Sequence, residues 1–251
     1  WLSLDNHMSI LRHLWEHRPT ERLAEIELPV MFVPADNGAV AWTHDKEESM
    51  QRAVDAMHAP SRTLWFRPAD HDLHAQFPER LAAVLHDAQS TTRLQVVMVA
   101  SAVAGEGKTL TAANLALTFS ESYQKRVLLI DGDLRRPTLH SVFRLETTSG
   151  LADGLSSTSE TKVMVRQVST RLAVLPAGRP SSDPMAGLTS ERMKQLLDEA
   201  RQSFDWVILD TPPVMLLPDA HLMTSMVDGA VLVIRAGSTP FELVRRAAEA
   251  L

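Results

Sequence analysis

The chain has 251 residues, 45% hydrophobic and 22% charged, with a formal net charge of −6 and no cysteine. That length supplies one large core or two small ones. The acidity argues against nucleic acid or an anionic membrane as electrostatic partners, and the missing thiols exclude disulfides and thiolate chemistry. No apolar run reaches the ~18 residues of a membrane helix. The sequence opens at Trp1 and stops at Leu251 within a helical pattern, so it reads as a fragment at both ends.

Composition shifts along the chain: eight of the ten His and four of the five Trp lie before residue 90. This divides it near Leu81–Ser90 into a segment 1–88 and a domain 89–251. In the first segment, apolar residues at helical spacing (Leu4, Met8, Leu11, Leu14, Trp15) predict a helix ended by His17-Arg18-Pro19. Leu28–Pro34 reads as a buried strand, Lys46–Met57 as a helix and Arg62–Phe66 as a short strand. Pro78, favoured in a first helical turn, starts a helix to about Ala88. Strand, helix, strand, helix is a βαβα piece of parallel sheet.

The organising stretch follows. Val96–Val99 is an apolar strand, Ala102-x-x-x-x-Gly107-Lys108-Thr109 a small-residue turn, and Leu110–Ser120 a helix. Strand, turn and helix are the context a phosphate-binding P-loop requires. Gly105 and Gly107 permit a turn whose N–H groups converge on one anion, and the helix N-terminus adds partial positive charge. Ala104, Gly105, Glu106, Gly107, Lys108, Thr109 and Leu110 are therefore the expected nucleotide-binding residues. Lys108 reaches the β/γ-phosphates and the Thr109 hydroxyl sits on Mg²⁺.

Downstream, Arg126–Asp133 is a buried strand ending in Asp131-Gly132-Asp133. Ligands of open parallel sheets bind at that edge, and two carboxylates so close are relieved by a cation. Arg171–Leu175 reads as a strand, Thr189–Phe204 as a helix, and Trp206–Asp210 as a second acid-ended strand, a Walker-B pattern. Val231–Arg235 is a last strand and Phe241–Leu251 a helix. Strands alternating with helices predict a doubly wound parallel sheet.

Two resemblances add to this reading. Pro29–Asp36 (PVMFVPAD), followed about 35 residues on by Ala69–Ala82 (ADHDLHAQFPERLA), resembles the C-terminal end of an α/β-hydrolase. That would make Asp36 and His71 the acid and base of a triad. The nucleophile elbow G-x-S-x-G is nowhere in the chain, so a truncated hydrolase segment without acyl chemistry is expected. His71-x-x-His74 lacks a third metal ligand.

Residues 95–251 resemble the cytoplasmic domain of bacterial tyrosine kinases (BY-kinases) of capsule and exopolysaccharide systems. The stretches are SAVAGEGKT (Ser101–Thr109), VLLIDGDLRRP (Val127–Pro137), GLADGL (Gly150–Leu155), LAVLPAG (Leu172–Gly178), VILDTPP (Val207–Pro213) and DGAVLVIRAG (Asp228–Gly237). The resemblance implies ATP and Mg²⁺ as cofactors, with Lys108 and Thr109 on the phosphates and metal. It makes Asp131 and Asp133 the Walker-A′ acids, one of which deprotonates the acceptor tyrosine, and Asp210 the Walker-B acid. Lys108, Asp131 and Asp133 are thus the catalytic set, and Thr109, Asp131 and Asp210 the metal set. It implies a tyrosine-containing protein substrate, homo-oligomers, and a membrane activator (a polysaccharide co-polymerase) in trans. A cytoplasmic location beside the inner membrane follows. Glu79–Leu85 also resembles the family's N-terminal assembly helix.

Partitioning and Min-type ATPases share the P-loop ancestry, so a nucleotide switch is the alternative function. The family's usual loop proline is replaced by Ala104, and its tyrosine cluster is not among these residues. The single tyrosine, Tyr123, ends the P-loop helix roughly 20 Å from the phosphates at ~1.5 Å per residue. It is expected to be a packing anchor and not an acceptor in its own chain.

Overall fold

The computed structural model describes residues 30–32, 51, 55, 61–63, 78–146, 149–156, 165–179, 184–216, 223–235 and 239–251. Before residue 78, two three-residue strands, β1 (Val30–Phe32) and β2 (Ser61–Thr63), pair in parallel with Val30 opposite Ser61. They overlap the two strands expected there. Within the helix expected over Lys46–Met57, Gln51 and Asp55 are helical, and the Gln51 amide donates to Asp55 at 2.8 Å. Asp36, His71, His74 and the helix expected over Leu4–Trp15 lie outside the described residues.

From Pro78 the chain alternates helix and strand. Helix α1 is Pro78–Thr91, β3 is Val96–Ser101, α2 is Lys108–Glu121 and β4 is Val127–Asp131. Two short helices follow, α3 (Leu139–Val142) and α4 (Leu151–Ser156), then strands β5 (Arg166–Gln167) and β6 (Leu172–Leu175). Next come α5 (Pro184–Leu188), α6 (Glu191–Ser203), β7 (Trp206–Asp210), β8 (Gly229–Val233) and α7 (Phe241–Glu249). The strand order is β5-β6-β4-β7-β3-β8, parallel throughout except that β5 runs antiparallel at the edge. This is the expected P-loop α/β fold.

Side-chain alternation along each strand builds two cores. Val96, Met98, Ala100, Leu128, Ile130, Val207 and Leu209 face one side, against Met193, Leu196, Leu197 and Ala200 of α6 and Leu151 and Ala152 of α4. Val97, Val99, Val127, Leu129, Trp206 and Ile208 face the other, against α1 (Leu81, Ala82, Leu85) and α2 (Ala112, Leu115, Ala116, Phe119). Phe119 and Trp206 stack with ring centres 4.3 Å apart. Tyr123 is half-buried beside them, its ring 5.8 Å from Phe119 and 4.7 Å from His86 of α1.

Several local outcomes differ from the periodicity. The strand expected over Arg126–Asp133 stops at Asp131, because Gly132 turns and donates its N–H to the Asp210 carbonyl at 2.7 Å. Asp133 therefore sits in the turn beyond the strand. Helix α6 starts on Ser190, whose hydroxyl accepts the Met193 N–H, an ordinary N-cap. The last strand begins two residues earlier than expected, at Gly229, where it pairs with Val97. Helices α3, α4 and α5 are too short to carry a helical repeat and were not foreseen.

Candidate functional site

The loops after β3, β4 and β7 leave the sheet at the same edge, and the expected site residues lie on these loops, at the ends of β4 and β7 (Asp131, Asp210) or in the first turn of α2 (Lys108, Thr109, Leu110). Gly105 and Gly107 take φ of 86° and 91°, left-handed values open to glycine at no steric cost. The loop therefore turns back on itself and delivers Lys108 to the first position of α2. Ala104, Gly105 and Leu110 are exposed, whereas Gly107, Lys108 and Thr109 are half-buried. An anion seated on this turn meets backbone N–H groups and a helix N-terminus together.

Lys108 Nζ lies 3.2 Å from Asp133 Oδ2, with both side chains largely shielded from solvent. The other Asp133 oxygen accepts the Arg136 N–H at 3.0 Å. Asp131 and Asp210 are direct register partners at the ends of β4 and β7. A Cβ on Gly132 would meet the Asp210 carbonyl oxygen at 2.8 Å, so glycine allows the two strand ends to lie this close. Both carboxylates are fully buried. Asp131 Oδ2 accepts the N–H groups of Thr138 (3.2 Å) and Leu139 (3.0 Å). Asp131 Oδ1 and both Asp210 oxygens are buried without a hydrogen bond of ordinary geometry.

Unpaired buried carboxylate oxygens are costly. Burial, and then the neighbouring Asp210 charge, push the Asp131 pKa above the usual carboxylate value. Burial raises Asp210 too, opposed by the nearby Thr109 hydroxyl and the Lys108 charge. Such hard, desolvated oxygens beside a Thr hydroxyl suit a divalent cation that keeps water and phosphate oxygens in its shell, as Mg²⁺ does. Among the described residues no group of three or more His, Cys, Asp or Glu could hold a metal alone. The donor set therefore fits a metal that arrives with a nucleotide.

Glu106 lies within the expected phosphate loop, but its side chain faces inward. The carboxylate is buried and accepts the Val103 N–H at 2.7 Å, the Arg235 N–H at 3.2 Å and the Thr239 hydroxyl. It thus fastens the P-loop to the segment between β8 and α7. Nothing in the spacing of GEGKT reveals this role, because Arg235 and Thr239 are about 130 residues away. The second residue that sequence reasoning missed is Thr138, whose hydroxyl is 3.3 Å from that of Thr109.

The description "AAA domain" matches residues 94–239. The chain is 38% identical over 213 residues to the tyrosine-protein kinase YwqD of Bacillus subtilis, covering 84% of this chain and 85% of that one. It is 31% identical over 192 residues to the putative tyrosine-protein kinase AmsA of Erwinia amylovora, and spans only 26% of that longer protein. The kinase domain of Escherichia coli tyrosine kinase ETK superposes with a TM-score of 0.64 at 30% identity, covering 70% of each chain. P-loop, paired strand-end acids and these likenesses agree: the chain belongs to the family of bacterial P-loop tyrosine-protein kinases.

Proposed function

We propose that residues 89–251 form an ATP·Mg²⁺-dependent protein-tyrosine kinase domain serving capsule or exopolysaccharide production. The observation that carries this is the convergence of Lys108, Thr109, Asp131, Asp133 and Asp210 at one sheet edge, with three carboxylate oxygens buried without a hydrogen bond of ordinary geometry. When bound, Mg²⁺ neutralises charge on the phosphates. The P-loop N–H groups and Lys108 hold the triphosphate. Thr109, Asp131 and Asp210 are the groups that fit the metal. The acceptor tyrosine oxygen bonds to the γ-phosphorus as the bond to the ADP oxygen breaks, and the phenolic proton passes to Asp131 or Asp133. Positioning and charge compensation supply most of the catalysis.

The acceptor is a tyrosine-containing protein, and a membrane activator acts from another chain on a homo-oligomer at the inner face of the membrane. No helix among the described residues is long and apolar enough to cross a membrane. For residues 1–88 we infer an α/β-hydrolase-like segment, in which Asp36 and His71 take the acid and base positions and have no G-x-S-x-G partner among these 251 residues.

Transfer of label from γ-labelled ATP to a tyrosine-rich peptide, with activator present, tests the reading. Phosphate release without phosphotyrosine would favour the nucleotide-switch alternative. Lys108→Ala is expected to weaken ATP binding about 100-fold, the scale of losing charge-assisted hydrogen bonds in a shielded site. Unchanged affinity would refute the P-loop assignment.

A further inference from the structure

Thr138 immediately precedes α3, where a threonine ordinarily turns its hydroxyl onto the N–H groups of its own helix. It makes no such bond. The hydroxyl reaches back 3.3 Å to Thr109 Oγ1 instead, across 29 positions of sequence. The same residue's backbone N–H donates to Asp131 Oδ2 at 3.2 Å. Thr138 therefore touches two of the three groups that fit the metal, and the third, Asp210, is next to Thr109. Thr138 is exposed, so packing does not dictate where its side chain lies. Asp131 Oδ1 and both Asp210 oxygens are buried without a hydrogen bond of ordinary geometry.

We propose that Thr138 is a positioning residue of the Mg²⁺–nucleotide site, fixing the Thr109 hydroxyl and the Asp131 carboxylate so that their free lone pairs face one cation. This deepens the ATP·Mg²⁺ reading and rests on it. Three donors act in concert. The Thr138 O–H donates to Thr109 Oγ1, which leaves the Thr109 proton for Asp210. The Thr138 and Leu139 N–H groups occupy Asp131 Oδ2 and so present Oδ1 to the metal. Outer partners of this kind hold first ligands in orientation and act on metal affinity without touching the metal.

The test uses the whole 251-residue chain as wild type, Thr138→Val and Thr138→Ser. Binding of N-methylanthraniloyl-ATP is followed by fluorescence, first in EDTA and then as Mg²⁺ is added. Mn²⁺ binding in the presence of ADP is followed by electron paramagnetic resonance. Thr138→Val is isosteric and keeps the backbone N–H, so it isolates the hydroxyl. It should need about tenfold more Mg²⁺ or Mn²⁺ for half-saturation, with the EDTA affinity and melting temperature of wild type. Thr138→Ser should restore the wild-type metal dependence. Equal metal dependence in wild type and Thr138→Val would overturn the proposal. A parallel loss of affinity in EDTA would overturn it too, since that marks a general structural role. Failure of the wild type to bind the nucleotide under any condition would instead refute the underlying ATP reading, and the inference with it.

Discussion

Asp228 is the group whose removal should most clearly separate architecture from chemistry. Its Oδ2 accepts the N–H groups of Gln95 (2.9 Å) and Val96 (2.7 Å) and Arg201 Nη1 (2.6 Å), while Oδ1 accepts Arg201 Nη2 (2.9 Å). One carboxylate thus joins the start of β3, the last turn of α6 and the turn before β8. Gln95 reinforces the same corner, donating its side-chain amide to the carbonyls of Arg201 (2.8 Å) and Phe204 (2.7 Å).

Asp228→Ala takes the acceptor from two backbone N–H groups and leaves the Arg201 guanidinium only the Met226 carbonyl at 3.5 Å and Asp198 at 3.8 Å. Breaking a fully buried pair costs about 3–5 kcal/mol. Here the two side chains retain 26% and 24% of their exposure, so water compensates in part and about 2–3 kcal/mol is expected. At ~2–4 °C per kcal/mol for a domain of this size, the melting temperature should fall by about 5–10 °C in calorimetry at pH 7. Asp228→Asn keeps an acceptor oxygen for the N–H groups but turns an amide toward Arg201, and should cost about half as much.

The pH dependence has a definite sign. Burial alone would raise the Asp228 pKa, but Arg201 and the two N–H groups overcome it and hold it below its ordinary value of 3.8. A depressed folded-state pKa contributes stability that is complete above the ordinary value and lost as pH falls through the folded one. The gap between wild type and Asp228→Asn should therefore be constant from pH 7 down to about 4 and shrink below it. A melting temperature for Asp228→Ala within 1 °C of wild type would refute the reasoning, as would a gap that widens on acidification.

Three further outcomes are expected. Glu106→Ala leaves the Val103 and Arg235 N–H groups and the Thr239 hydroxyl without their acceptor. It should lower stability by about 2–3 kcal/mol and weaken ATP binding. Glu106→Gln falls between, since an amide offers one acceptor oxygen where donors stand on both sides; denaturant titration and nucleotide binding measure both. Gly132→Ala forces the ends of β4 and β7 apart, because its Cβ would lie 2.8 Å from the Asp210 carbonyl. Metal-dependent nucleotide binding should drop while far-UV circular dichroism is kept. Tyr123, wedged between His86 and Phe119 at the far end of α2, should acquire no phosphate when the chain alone is incubated with γ-labelled ATP. Stoichiometric label there in phosphotyrosine mapping would contradict the separation of Tyr123 from the phosphates.

Much of this molecule was determined by sequence alone, for a local reason. The apolar runs Val96–Val99, Val127–Ile130 and Trp206–Leu209 are short, rich in Val and Ile and bounded by turn residues, the pattern of strands buried on both faces. Small residues and glycines between the first run and its helix allow only a tight turn, and GKT at a helix start is a motif with its own electrostatics. Strand-end acids belong to the same class of local signal, so Lys108, Thr109, Asp131, Asp133 and Asp210 were all legible. The short edge strand β5 and helices α3 to α5 were not, because two to six residues carry no period.

What tertiary structure alone decided is which oxygens meet which protons. That β7 lies between β3 and β4, so that Asp210 faces Asp131 across a ladder, follows from strand order; sequence order does not give it. That Glu106 turns away from the phosphate side to bind Arg235 and Thr239, and that Thr138 gives up its cap to reach Thr109, depend on loops distant in sequence meeting at one sheet edge. A buried polar group must find a partner somewhere. Its residue type announces that need, and only the packed chain supplies the partner.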